Sequence, residues 1–176
     1  QLTGGITSPE PFTFLGNNTA ANADRVINVS GNNTLTGNIA TSSGGTNHGL
    51  RSDAGKLTVT GNIAPIVSGT RAFYIRGAGD GEITGGFNIG NASSAPLFKE
   101  GTGTWTLSGT NTFNGTTTIS AGTLQIGNGG TTGRLTATSG IVNNDSLVIN
   151  RSDNFTQATD LGAGAVISGT GSLIQA

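Results

Sequence analysis

Four stretches of the chain align at a spacing of 24 residues, and this period constrains the fold more than any other feature. Two columns of the alignment hold only glycine: Gly31, Gly55, Gly79 and Gly103 in one, and Gly37, Gly61, Gly85 and Gly109 in the other. Glycine makes up 31 of the 176 residues, so one such column arises by chance roughly once in a thousand trials. Two columns in one register therefore indicate a coil that stacks on copies of itself, each coil covering the apolar face of its neighbour.

Apolar residues occupy further columns of the same register. Within one coil they alternate with threonines, as in the segment Leu57–Thr60, and this period-two alternation is typical of a strand with one apolar face and one polar face. The apolar members are predicted to point into the coil and to stack in buried lines, with neighbours about 4.8 Å apart. The predicted core columns are Leu35, Val59, Ile83 and Leu107; Val26, Leu50, Tyr74 and Phe98; and the inward residues Leu57 and Trp105.

Short strands joined by tight glycine corners predict an all-β, parallel β-solenoid of about seven coils. Glycine suits the corners because a positive φ or a close backbone approach excludes a Cβ. A β-sandwich is disfavoured because it would show hairpin signals and no constant long period. We expect one domain over residues 1–176, with an irregular, cap-like first coil over 1–25, regular 24-residue coils over 26–121 and less regular coils over 122–176.

Composition excludes several classes of function. The formal net charge is −1, which provides no electrostatic basis for binding nucleic acid or an anionic membrane. Cysteine is absent, which excludes disulfides and thiolate chemistry. No apolar run approaches the roughly 20 residues of a membrane helix, so no membrane insertion by this segment is expected.

The residues capable of catalysis or metal binding are few. His48 is the single histidine, and we expect it in an exposed loop without a metal or a catalytic triad around it. The segment Gly77–Ile83 has the glycine and acidic residues of a calcium-binding nonapeptide, but it occurs once, so a glycine-rich turn is the preferred interpretation. No catalytic residue, no metal site and no cofactor is predicted.

Charged residues also fall one period apart. A polysaccharide-cleaving β-helix needs two carboxyl groups roughly 5–10 Å apart across a cleft. Here opposite charges are instead placed on successive coils, and they predict exposed ion pairs between Arg76 and Glu100 and between Lys56 and Asp80.

Threonines predict an outward line on the same coils. The line contains Thr34, Thr58 and Thr106, and a regular threonine array on a flat solenoid can bind ice. Glu82 interrupts this array, and threonine is in any case favoured on exposed sheet faces. Ice binding therefore remains a minor alternative.

The second half of the chain resembles a known family. The segment from Gly101 to Gly127, GTGTWTLSGTNTFNGTTTISAGTLQIG, closely resembles the β-strand repeat associated with autotransporter passenger domains. The segments Val142–Asp153 and Ile167–Leu173 resemble the portion that connects such repeats, so the resemblance covers roughly residues 95–176. It implies a right-handed β-helix passenger that is secreted by a bacterium or displayed on its surface, and it implies no particular activity.

These observations predict a non-catalytic structural or adhesive β-solenoid of an exported bacterial cell-surface protein, acting as a stalk, an adhesion surface or a head-to-tail extracellular filament unit. A polysaccharide-binding or polysaccharide-cleaving β-helix is the alternative. Leu173 and Ile174 match Leu97 and Phe98, so the chain is expected to stop partway through a coil. The expected partners are identical subunits or adjoining parts of a longer chain at the open coil ends, and surface glycans.

Overall fold

The computed structural model describes residues 1–14, 24–41, 47–65, 72–89 and 95–176. Within these residues the chain forms short strands, numbered here in chain order, and one single-turn helix, α1 (Gln157–Asp160). The longest sheet has eight strands in the order β1 (Thr7–Ser8), β4 (Asn32–Leu35), β7 (Lys56–Val59), β10 (Asp80–Ile83), β12 (Thr104–Leu107), β15 (Thr123–Ile126), β18 (Ser146–Ile149) and β20 (Ser172–Gln175).

Two further sides complete each coil. The second side is a seven-stranded sheet of β3 (Asp24–Asn28), β6 (Asn47–Ser52), β9 (Ala72–Arg76), β11 (Leu97–Lys99), β14 (Thr117–Ile119), β17 (Ile141–Asn143) and β19 (Ile167–Ser168). The third side holds β2 (Phe12–Phe14), β5 (Ile39–Thr41), β8 (Ile63–Pro65), β13 (Thr110–Asn111) and β16 (Arg134–Leu135). All strand pairings in the described residues are parallel and join strands of successive coils, and the predicted all-β parallel solenoid is thereby confirmed.

The interior is a stack of aligned side chains. In the eight-stranded sheet Leu35 lies opposite Val59, Val59 opposite Ile83, and Ile83 opposite Leu107, and all four side chains are fully buried. Leu57 and Trp105 lie in a second buried line of the same sheet. Among the residues that the structure describes, no helix is long and apolar enough to cross a membrane.

The 24-residue period fails at one predicted core column. Val26 lies opposite Leu50, but Leu50 lies opposite Ile75, and Tyr74 lies opposite Gly49. Position 75 is 25 residues beyond position 50, so β9 is displaced by one residue from the predicted register. Because successive strand residues point to opposite faces, a displacement of one residue exchanges the inside and the outside of the strand.

The prediction that Tyr74 and Phe98 belong to the core is therefore wrong. Both residues are half-buried on the outer face, and the inward line continues through Ile75 and the fully buried Lys99. The shift is taken up at the following corner, where three residues separate Arg76 from β10 instead of the four that separate Arg51 from β7.

The regular period also ends earlier than predicted. Thr104 of β12 lies opposite Thr123 of β15, a spacing of 19 residues, so the 24-residue coils stop at β12 and do not extend to residue 121. The match between Leu173 and Leu97 is also wrong. Leu173 lies opposite Leu147 in the eight-stranded sheet, and this line continues to Leu124 and Trp105.

Close approach of successive coils excludes side chains in both glycine columns, and a positive φ adds to this effect in part of the first column. In the second column the coils approach so closely that a Cβ on Gly61 would collide with the carbonyl group of Gly37, and the same conflict recurs one coil later between Gly85 and Gly61. In the first column Gly31 has a φ of +81°, in the left-handed region that favours glycine, whereas Gly79 has an ordinary φ and lacks room for a Cβ.

Candidate functional site

Charged side chains surround a recess on the corner between the seven-stranded and eight-stranded sheets. We name this recess, lined by Asp24, Arg51, Asp53, Arg76 and Glu100, the charged depression. Its volume is about 400 Å³. The β-helical stacking brings these residues together from four successive coils, although they are up to 76 positions apart in the sequence.

Arg76 is the central group of the charged depression. Its Nε donates a hydrogen bond of 2.6 Å to Oδ1 of Asp24, and its Nη1 lies 3.3 Å from Oε2 of Glu100. Arg76 and Glu100 are thus ion-paired across adjacent coils, at the spacing that the sequence predicts. The Asp24 carboxylate, whose side chain is only 7% exposed, was not foreseen because it comes from a strand two coils away, at an irregularity in β3.

Arg51 lies at the rim of the charged depression. Its Nε donates to Oδ1 of Asp53 at 2.5 Å, and its Nη1 is 3.8 Å from Oδ2 of Asp24. The hydrogen bond to Asp53 raises the pKa of Arg51 above its usual value, so the guanidinium stays charged. The Arg51 side chain is 43% exposed, so it remains accessible from solvent.

Two aromatic rings flank the charged depression on the outer face. Tyr74 and Phe98 stack with their ring centroids 5.0 Å apart and their planes 16° from parallel. The guanidinium carbon of Arg76 lies 4.8 Å from the Tyr74 ring centroid, a cation–π contact. Gly49, opposite Tyr74 in β6, contributes no side chain beside this ring. The outer face therefore presents an apolar pair next to the charged residues.

The predicted ion pair between Lys56 and Asp80 is wrong. The two residues lie opposite each other, but Nζ of Lys56 bonds at 2.5 Å to Oε2 of Glu82. Oδ1 of Asp80 instead accepts a 2.9 Å hydrogen bond from the backbone N–H of Thr104. The buried Glu82 carboxylate needs a partner more than the exposed Asp80 does, because an unpaired buried charge is costly.

Lys99 occupies an inward position that the sequence did not predict. Its Nζ donates to the carbonyl oxygens of Gly101 at 2.6 Å, Ala121 at 2.8 Å and Glu100 at 3.2 Å. Burial lowers the pKa of Lys99 to about 8, and the charge of nearby acidic groups only partly opposes this effect. The ammonium group therefore ties together the corners of two coils.

The expectation that His48 is exposed is wrong. His48 belongs to β6, is 1% exposed and lies opposite Phe73, with its ring 5.9 Å from that of Phe14. It is buried because the strand begins at Asn47, so its alternation points position 48 inward. No group of three or more histidine, cysteine or acidic residues suited to a metal occurs among the described residues.

A second ionic cluster lies near the end of the chain. The Arg151 side chain is fully buried, and its guanidinium bonds to Asp153 and, at 3.0 Å, to Asp160. Arg134 adds a 2.7 Å contact to Asp160. The hydrogen bond from Arg151 holds the pKa of Asp153 below its usual value. This cluster fixes the turns that replace a regular coil around α1.

An apolar groove of about 380 Å³ lies beside β20, the last strand of the eight-stranded sheet. Leu173 and Ile174 on this strand are 58% and 46% exposed. The groove residues are Ile149, Phe155, Leu161, Ile167, Leu173 and Ile174. The core of the solenoid therefore reaches the surface at this end.

Comparison with known proteins locates the repeat within this architecture. Residues 97–126 match the passenger-associated-transport-repeat. The match confirms the predicted resemblance to autotransporter passengers. The passenger-associated-transport-repeat begins at β11 and ends at β15, so it contains Lys99, Trp105 and the 19-residue step between β12 and β15.

One curated relative extends the similarity beyond the passenger-associated-transport-repeat. The chain is 42% identical over 96 residues to the "Adhesin BmaC autotransporter" of Brucella suis biovar 1 (strain 1330). The alignment covers 54% of this chain and 3% of that protein, so the chain spans only a small part of its relative. No solved structure shows a significant match.

Proposed function

We propose that this chain is a structural and adhesive segment of an exported bacterial cell-surface protein. The observation that carries the proposal is the position of the passenger-associated-transport-repeat, whose strands β11, β12, β14 and β15 are integral members of the two long sheets. A repeat that is continuous with its neighbours builds a rigid rod with a long lateral surface. The relationship to an adhesin autotransporter supports a place outside the cell or on its surface.

The arrangement of charges supports a non-catalytic role. The best-buried carboxylates are held by cations or donors: Asp24 by Arg76, Glu82 by Lys56, and Asp160 by Arg151. A general acid or nucleophile needs a carboxyl group that reaches the substrate with a suitably tuned pKa. Carboxylates engaged in structural ion pairs do not offer this arrangement.

The apolar groove and the edge of β20 support adjoining coils of the same polypeptide as the principal partner. An unpaired strand edge is a template for another strand, and exposed Leu173 and Ile174 would be covered by the next coil. The much greater length of the adhesin relative agrees with this arrangement. Head-to-tail association of identical subunits is the other way to cover the same surface.

Two measurements test the proposed function. Antibodies raised against the chain should label intact, unpermeabilised cells of the producing bacterium, and labelling that requires permeabilisation would contradict the surface location. Beads coated with the folded chain should adhere to epithelial cells more than beads coated with the Ile83→Asp variant, whose buried charge disrupts the core. Equal adhesion of the two kinds of bead would contradict an adhesive role for the folded surface.

A further inference from the structure

We propose that the charged depression, together with the outward rings of Tyr74 and Phe98, binds a neutral hexose unit of a surface glycan. The inference rests on the adhesive function proposed above, and it names a site and a ligand class for that function. It follows from four properties of this corner of the solenoid: its shape, its hydrogen-bonding groups, its charge and its apolar flank.

The shape of the depression is fixed by the backbone. Gly77 and Gly101 line it and lie one coil apart, and a Cβ on Gly101 would press against the backbone of Gly77. Neither position can carry a side chain without moving the backbone of the neighbouring coil, so this wall of the recess is tightly packed main chain. Its volume of about 400 Å³ falls within the range of about 300–1,000 Å³ that is usual for small-ligand sites.

The rim offers both donors and acceptors. Arg51 uses Nε for Asp53, while its Nη1 is 3.8 Å from Asp24, beyond hydrogen-bond distance. Among the described residues, Asp53 uses Oδ1 to bind Arg51, and Glu100 uses Oε2 to bind Arg76. The second carboxylate oxygen of each residue can therefore accept a hydrogen bond from a ligand. The two side chains are 33% and 37% exposed. Neighbouring sugar hydroxyls donate and accept at once, which matches a guanidinium placed next to carboxylates.

The base of the depression is already organised. The Asp24 side chain is 7% exposed and the Arg76 side chain 15% exposed, and their 2.6 Å bond fixes both groups before a ligand arrives. Pre-organised polar groups lose little conformational entropy on binding. The charge of the depression favours neutral ligands over anionic ones, since its three carboxylates and two guanidiniums leave one net negative charge. That charge disfavours sulfated, sialylated or uronic-acid glycans.

Tyr74 and Phe98 supply the apolar flank. They are adjacent aromatic residues in an outer column whose neighbouring members are Gly49 and Thr118. Their stack holds Arg76 from one side through the cation–π contact at 4.8 Å. A pyranose ring has an apolar C–H surface as well as hydroxyls, and a site that combines an aromatic flank with a few polar groups binds both.

The test uses the whole 176-residue chain. A glycan array carrying neutral, sialylated and sulfated oligosaccharides comes first, followed by NMR titration with the methyl glycosides of glucose, galactose and mannose. We expect binding to neutral glycans, and at least one methyl glycoside should shift the signals of Tyr74. Arg51→Ala should weaken binding at least tenfold without changing the melting temperature, because Arg51 is exposed at the rim. Arg134→Ala is the matched control, since Arg134 is similarly exposed but lies outside the depression, and it should bind as wild type.

Three results would overturn the proposal: no binding of any neutral glycan, equal or stronger binding of anionic glycans, or binding that Arg51→Ala leaves unchanged. The bead experiment separates this inference from the proposed function. Adhesion that persists in Arg51→Ala beads but is lost in Ile83→Asp beads would contradict an adhesive role for the depression and leave the adhesive role of the folded surface intact, whereas equal adhesion of wild-type and Ile83→Asp beads would contradict the proposed function itself.

Discussion

Trp105 lies directly opposite Gly81, and its indole fills the space that a side chain at position 81 would take. A Cβ on Gly81 would lie only 2.4 Å from the nearest indole carbons, closer than van der Waals contact allows, and Trp105 itself is fully buried. The largest and the smallest side chains of this inward line are therefore stacked on each other. Leu57 and Leu124 flank them on the adjacent coils, so the missing side chain on one coil makes room for the large one on the next.

Gly81→Ala is expected to destabilise the protein by about 1–3 kcal/mol through overpacking against Trp105. The free energy of unfolding from urea denaturation measures the effect. Gly130→Ala is the matched control, because a Cβ on Gly130 meets nothing within 4 Å and its φ is not in the left-handed region. Adding Trp105→Leu to Gly81→Ala should restore part of the loss. A double variant no more stable than Gly81→Ala would contradict the proposed volume exchange.

Ile83→Asp is expected to destabilise the protein by more than about 4 kcal/mol, because it places an unpaired carboxylate in the fully buried line between Val59 and Leu107. Thermal melting followed by circular dichroism provides the measurement. Thr84→Asp, one position further along and exposed, should melt close to wild type. Similar melting of the two variants would mean that position 83 is not in the core.

Lys99 predicts an unusual dependence of stability on pH. Its pKa is about 8 in the folded protein, below the ordinary value of 10.5, so between these pH values the unfolded chain binds more protons than the folded chain. The contribution of Lys99 to the free energy of unfolding should therefore increase as the pH rises from 8 to 10.5. Urea denaturation of wild type and Lys99→Met across this range isolates the contribution, because other titrating groups are common to both. Parallel pH profiles would contradict the prediction.

A double-mutant cycle distinguishes the observed partner of Lys56 from the predicted one. The coupling energy between Lys56→Ala and Glu82→Gln should be about 0.5–1 kcal/mol, since Lys56 is partly exposed and Glu82 is buried. The coupling between Lys56→Ala and Asp80→Asn should be close to zero, because Asp80 bonds to the backbone of Thr104. The reverse order of the two couplings would favour the pairing that the sequence predicts.

The fold was predictable where every segment of a coil keeps its length. Leu35, Val59, Ile83 and Leu107 share a column because both the strands and the corners leading to them repeat without change. The pairing of Arg76 with Glu100 could be predicted for the same reason, because the two residues are one unchanged coil length apart. The passenger-associated-transport-repeat was recognisable because its motif is long and ordered.

The outward position of Tyr74 was not predictable from the period. Between Pro65 and Ala72 the chain has one residue more than between Thr41 and Asn47, and the corner after Arg76 has one residue fewer, so the coil length stays at 24. The period gives only the total length of a coil, so it does not reveal where within the coil a residue is gained or lost. The charged depression was missed for a related reason, since Asp24 reaches Arg76 from two coils away and no pattern within one coil indicates the contact.

Two compensating length changes of one residue each have displaced β9 by one position in the seven-stranded sheet, while the eight-stranded sheet keeps its alignment. A solenoid built this way can shift the register of one face without disturbing the other faces, because each face sets its own register between corners. One residue more before a strand and one fewer after it then decide which of its side chains point outward, as at Tyr74, while the scaffold stays unchanged.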